Sequence, residues 1–406
     1  VVRPLSIPEA VAQLTALFQF MRELLRLEAA WLAGVPYWDA KLKIGEHLWI
    51  DAQHAEAVLK RLHEFKASSA EHKQVAGLDE LMRELAAAGQ GDAWLHALYA
   101  AIKPWLASRL RAHCAAVDPL MDRPTHEALG RIAQEIEVQA AWFAGYSPAF
   151  SAWERPAAET AGWVARTRAL LGGVRLESGR IEGIEAALAV QPRPDGHADF
   201  AGVEQVRRDR AFRCVGRAEV PREGTTFEEK RFIVFYNHSQ EMQFAESLGA
   251  ILWETAEMPW AFHFDLARHV ADEVRHAQMG QARLEQLGHR LAELPMMTQH
   301  YAFRRNLDPL ERFCLMTLVM EATAFERKRT NVELFEANGD TDSARYESYD
   351  IRDEMQHTNL GHVWVPILLR VYHDSRSVTE LTDHCRQTIA QVISEYPASA
   401  ANMIKR

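Results

Sequence analysis

Three observations make this chain all-α. Apolar residues recur with a helical period through most of its 406 residues. Helix starts and stops punctuate the second half at regular intervals. Only Arg213-Cys214-Val215-Gly216-Arg217-Ala218-Glu219-Val220 reads as a short strand. Taken in order, Thr226 with Glu229 forms a capping box that opens a helix over 227–257, and Met258-Pro259 separates it from a second over 260–288. The longer connection 289–308 has to cross the bundle. A third helix covers 309–337, Asn338-Gly339-Asp340 turns it into a fourth over 343–373, and a last one lies near 377–395. The chain therefore divides into three regions: a helical domain over 1–150, an irregular linker or wrap over 151–226 rich in Gly, Pro and Arg, and a bundle over 227–406 with a carboxy-terminal helix.

Composition bounds the function. At 48% hydrophobic and 25% charged residues, the chain is an ordinary globular protein. No apolar run approaches the ~18 residues of a membrane span, and the amino-terminal stretch lacks a signal peptide's layout. The expectation is a cytoplasmic protein without a membrane partner. Cys114, Cys214, Cys314 and Cys385 are scattered, which indicates neither a disulfide framework nor a thiolate metal site. A net charge of −10 without a basic block argues against a nucleic acid partner.

The chemistry sits in a repeated pattern. Asp272-Glu273-Val274-Arg275-His276 and Asp353-Glu354-Met355-Gln356-His357 share one spacing, and Glu241 and Glu321 precede their glutamates by 32 and 33 residues. Residues three apart lie on one helix face, so each Glu-x-x-His can close on an ion from one side. An interval of about 32 residues is one helix out and one back at ~1.5 Å per residue, which returns the lone glutamate to the same height. Glu241, Glu273, His276, Glu321, Glu354 and His357 are therefore candidate ligands. Four carboxylates and two imidazoles suit a pair of iron ions, or Mn/Fe, or two manganese ions. Six ionisable groups on inward faces would be costly to bury without such ions.

Neighbouring residues fill in the surroundings. Asp272 and Asp353 stand where each can accept the imidazole N–H of the opposing histidine, with Arg275 beside them. Gly280 and Gly361, seven residues past each ligand glutamate, are candidates for leaving space for oxygen or substrate, against close helix packing as the alternative. Phe244, Leu248, Phe325 and Met320 would line an apolar pocket, with Thr317 as a polar member. Glu246 and Glu326 turn away from the ligand face and are expected in ion pairs.

Over residues 228–373 the order Glu, Glu-x-x-His, Glu, Glu-x-x-His resembles that of the ferritin-like di-iron carboxylate proteins. The two five-residue segments are similar to the Asp-Glu-x-Arg-His motif of the hydroxylase subunits of bacterial multicomponent monooxygenases, with Gln356 in place of the second Arg. The resemblance implies a ferritin-like four-helix bundle holding two Fe ions. It implies an oxygenase or oxidase that uses O2 to hydroxylate, desaturate or otherwise oxidise a small organic substrate. Electrons would come from an external donor such as a ferredoxin or reductase, and a homodimer is compatible with it. The alternatives are a metal-binding or peroxide-scavenging protein without organic substrate, and a catalytically silent scaffold. Gly280 occupies the position of the radical tyrosine of nucleotide-reducing relatives, and Phe325 that of the monooxygenase threonine.

The first 150 residues overlay on this bundle as a degenerate second copy without metal. Asp51 and His54 fall on Glu273 and His276, Arg61 on Arg283, and Asp122 and Thr125 on Asp340 and Ser343. In this overlay Phe18 and Ile102 replace the lone glutamates, and Val138 replaces the second histidine.

Overall fold

The computed structural model describes residues 4–147, 157–177 and 179–394. It is 74% helix and 3% strand, which bears out the all-α class. Two compact units divide the chain: Val1–Tyr37 with His47–Gly202, and Trp38–Glu46 with Val203–Arg406. This departs from the expected linker. Residues 157–202 are folded with the first unit and 203–226 with the second, while the ends of the expected regions near 150 and beyond 394 lie outside the described residues.

In the first unit, α1 (Ile7–Trp31) begins at a capping box made by Ser6 and Glu9. Then come α2 (Trp38–Glu64, of which 47–64 belong here), α3 (Leu78–Ala86) and α4 (Gly91–Ala97). A π-helical stretch, Leu98–Ile102, leads into α5 (Lys103–Ala116), and α6 (Arg123–Tyr146) returns along it. The region expected to be irregular contains α7 (Ala157–Gly173), a hairpin of β1 (Arg175–Glu177) with β2 (Arg180–Glu182), and α8 (Ile184–Val190). Its small and polar residues give a weak helical period, so α7 was not apparent in the sequence.

The interior of this unit holds a buried lysine. Lys103 Nζ bonds Gln139 Oε1 at 2.6 Å, pairs with Asp51, and stands 3.2 Å from Glu28 Oε1, while Gln139 Nε2 donates to Asp51 at 3.0 Å. Burial pushes the Glu28 carboxyl up to about 8, against the pull of Lys103. The folded chain thus binds a proton that an unfolded carboxyl releases near ~4.3, and the contribution of Glu28 to stability declines as pH rises from there to about 8. Glu28→Gln is expected to remove that decline, so its urea midpoint relative to wild type rises between pH 5 and pH 9.

The second unit begins with the strand β3 (Arg213–Val215), shorter than the expected 213–220, paired in parallel with β4 (Pro295–Met297). The helix expected over 227–257 is two, α9 (Phe227–Ser239) and α10 (Met242–Glu254), broken at Gln240-Glu241. Helix α11 (Trp260–Gln286) packs on both. In the crossing lies α12 (Gln299–Arg305). The helix expected over 309–337 is α13 (Pro309–Cys314), a π-helical stretch Leu315–Glu321, and α14 (Phe325–Ala337). These pack on α15 (Thr341–Val371), which also meets α11; α16 (Val378–Ser394) covers α13 and the π stretch. Residue 395 of the expected last helix lies outside the described residues.

Both interruptions face a glycine. A Cβ on Gly280 would lie 2.3 Å from Ser239 N and 2.7 Å from Phe235 O, and one on Gly361 would lie 2.4 Å from Thr317 Oγ1. Gly280 and Gly361 therefore let α11 and α15 close on the irregular stretches beside Glu241 and Glu321. They leave no room for a substrate, which corrects that expectation. Glu246 is buried against Lys41 and Arg208 as an interhelical ion pair, whereas Glu326 is exposed and makes no side-chain ion pair among the described residues.

The two units repeat one clamp. Arg61 donates from Nε to Thr125 Oγ1 and from Nη2 to Asp122 Oδ1, each at 2.8 Å. Arg283 does the same to Ser343 Oγ at 2.9 Å and Asp340 Oδ1 at 2.6 Å. In each case the aspartate caps the following helix. Counted from this clamp, the overlay shifts by one residue at two places: Lys103, not Ile102, stands at the position of Glu321, and Gln139, not Val138, at that of His357. Val138 is 64% exposed and so cannot be the counterpart of a buried histidine.

Candidate metal centre

The six expected ligands converge in the core of the second unit. Glu241 lies at the break between α9 and α10, Glu273 and His276 on α11, Glu321 at the end of the π stretch, and Glu354 and His357 on α15. A π turn adds a residue and rotates the helix beyond it, a device common at functional sites. The lone glutamates are thus aimed by irregularities that helical periodicity does not show.

Four groups of donor atoms each lie within 4.8 Å of one another among the described residues: His269, Glu273, Glu321 and His357; Glu241, Glu273 and His276; His276, Asp350 and Glu354; and His238, Glu347 and Asp350. Glu273 belongs to the first two. His276 Nδ1 stands 3.4 Å from Glu241 Oε2 and 4.0 Å from Glu273 Oε2, and His357 Nδ1 stands 3.4 Å from Glu273 Oε1 and 3.9 Å from Glu321 Oε1. Donors ~2.1 Å from a common ion are separated by roughly 3 Å when adjacent and roughly 4 Å when opposite. Both oxygens of Glu273, one each of Glu241, Glu321 and Glu354, and Nδ1 of His276 and His357 are buried and make no hydrogen bond. Buried polar atoms are rarely left so, and their convergence fits a metal ion.

The aspartates hold the imidazoles. Asp353 Oδ2 lies 3.2 Å from His276 Nε2, and Asp272 Oδ2 lies 3.5 Å from His357 Nε2, so each motif's acid faces the other motif's histidine. A proton on Nε2 leaves the Nδ1 lone pair turned to the cluster. Arg275 Nη2 reaches both aspartates, at 2.8 and 2.7 Å. One arginine serves both motifs, which accounts for Gln356 in the second.

The sequence reading missed five participants: His269, Asp350, Lys328, His238 and Glu347. His269 and Asp350 each stand one turn before a ligand glutamate and on its face, which is the signal that could have found them. His269 Nε2 lies 3.0 Å from Glu321 Oε1 and its ring stacks on His357 at 3.7 Å. Asp350 Oδ1 lies 3.4 Å from His276 Nδ1. Lys328 Nζ lies 2.5 Å from Asp350 Oδ2 and 2.8 Å from Glu354 Oε1. His238 bonds Glu347 at 2.9 Å, and Glu347 also accepts from Asn331.

Electrostatics divides the carboxylates. Burial raises Glu354 to about 7 and Glu241 well above the usual range, with Lys328 opposing both shifts. Burial also opposes ionisation of Glu273, but His269 and His357 hold it well below that range. His276 is raised to about 9, because Asp350, Asp353 and Glu241 outweigh its burial. The shared ligand is thus the one most firmly ionised.

A cavity of about 380 Å³ opens beside the cluster and reaches Glu241, Glu273, Glu321 and Glu354. Phe244 lines it, together with Met297, Val319, Met320 and Ile389. Leu248, Thr317 and Phe325 do not: Leu248 and Thr317 are fully buried in helix packing, and Thr317 turns its hydroxyl back to Phe313 O. No helix among the described residues is long and apolar enough to cross a membrane. Residues 175–399 match the model of a family described as a protein of unknown function, DUF455. No curated protein and no solved structure matches the chain.

Proposed function

We propose that this chain, which belongs to the DUF455 family, is a ferritin-like di-metal oxidase or oxygenase that activates O2 to oxidise a small organic substrate. One observation carries the reading: two convergent sets of buried, unbonded donors share Glu273 and border a cavity. In this reading Glu241, Glu273 and His276 hold one ion and His269, Glu273, Glu321 and His357 hold the other, with Glu354 and Asp350 in reach of the first. The donor set is oxygen and nitrogen without sulfur, which favours iron or manganese. A pair of iron ions held by these residues would supply the redox chemistry with O2.

The chain's own residues do the rest. Asp272 and Asp353 fix the imidazoles, Arg275 fixes the aspartates, and the apolar part of the cavity wall stands beside the carboxylates. Lys328 holds a proton at Nζ against Glu354 Oε1, beside the cavity that it also lines.

The test is oxygen uptake by protein loaded anaerobically with Fe(II). Uptake that scales with bound iron and is absent in Glu321→Ala is expected. Two bound ions without oxygen uptake would leave a metal-binding protein and overturn the oxidase reading.

A further inference from the structure

The cavity beside the metal cluster has two chemically different ends. Its floor is the ligand carboxylates and its wall is apolar, but its mouth carries Arg222 and Arg327. Neither arginine makes a hydrogen bond or ion pair among the described residues, in a protein whose overall charge is −10. An adjoining cleft shares both and adds Lys230, so that among its exposed lining residues Glu223 is the one acid beside three cations, while Glu241 and Glu347 lie deeper with Lys328. The charge of Arg222 is felt inside: with burial and Arg304, it helps push the His300 imidazole down to about 3, which keeps this cavity-lining ring neutral. Deeper in, Gln243 is 1% exposed, lines the cavity, and has no acceptor for its Nε2.

We infer that the cavity takes an amphipathic organic anion, with its carboxylate or phosphate held at the mouth by Arg222 and Arg327 and its apolar body against Phe244 and Met320. Guanidinium groups pair both kinds of oxyanion in the same forked geometry, so the headgroup class is shared chemistry. Gln243 Nε2 donates to a carbonyl or hydroxyl oxygen partway along the body, since a buried donor without an acceptor selects ligands that supply one. The anion points outward, which places the far end of the ligand at Glu241 and Glu321. Only the identity of that end as the reacting one rests on the oxidase reading.

The test is calorimetric titration of the full chain, at measured metal content, with octanoate, octyl phosphate, octanol, octylamine and inorganic phosphate. Octanoate or octyl phosphate is expected to bind more tightly than octanol, octylamine or inorganic phosphate, and whichever is tighter names the headgroup. In Arg222→Ala/Arg327→Ala the favoured anion should bind about tenfold more weakly. Because both arginines are exposed, that variant should fold and keep its metal content. Octylamine or octanol binding as tightly as the anions, no binding by any probe, or an unchanged double variant would each overturn the inference. Anion binding by a chain that takes up no metal would overturn the oxidase reading and leave this one standing.

Discussion

Replacing Glu273 by alanine is expected to remove both metal ions from the chain, whereas Glu321→Ala removes one. Glu273 alone belongs to both of the proposed ion sites, and both of its oxygens are buried without a hydrogen bond. It is also held ionised by His269 and His357, despite a burial that favours the proton. Without it, one site keeps Glu241 and His276, and the further donors in reach, Asp350 and Glu354, are already engaged by Lys328. Elemental analysis after loading with Fe(II) or Mn(II) gives the count. Two ions retained in Glu273→Ala would show that the sets do not share a ligand. The same loss should appear in stability, because an ion that binds only the folded chain stabilises it by about 4 kcal/mol at a thousandfold excess over its dissociation constant. The melting temperature of wild type should rise on loading, and that of Glu273→Ala should not.

Lys328→Met is expected to cost about 3–5 kcal/mol in the metal-free chain, because it leaves buried Asp350 and Glu354 without their common cation. The cost carries a pH dependence of definite sign. Lys328 is held well above its ordinary value, so in wild type it stays charged at neutral pH and below. In the variant the acids must take up protons, which is easier when the medium is acidic. Urea unfolding should therefore show a smaller loss at pH 5.5 than at pH 8. An equal loss at both would mean that packing of the lysine stem, rather than its charge, is what the substitution removes.

Most of the candidate centre was legible because its ligands obey helical periodicity. Glu273 with His276 and Glu354 with His357 sit three apart on regular helix, and the cross-facing Asp272 and Asp353 are set by the same geometry. Glu241 and Glu321 were found by their interval, but the break and the π stretch that aim them were not. Those distortions depend on how closely α11 and α15 approach at Gly280 and Gly361, a long-range packing relation that a local pattern does not record. His269 and Asp350 were within reach of the same periodic argument, one turn earlier. Lys328 was not, because a lysine on a helix reads as solvated unless its surroundings are known. In the first unit the error was one of register: a single residue's slip placed exposed Val138 where buried Gln139 belongs.

That buried group in the first unit has a consequence for life under scarcity. Where the second unit gathers buried glutamates that could hold an ion, the first sets an ammonium among Asp51, Gln139 and Glu28. This cation is encoded in the gene and arrives with every copy of the chain. It cannot be taken by a chelator, swapped for a competing metal or lost to oxidation. The first unit therefore has its interior charge balanced from synthesis, and under the proposed function only the second unit's electrostatics would depend on a supply of metal.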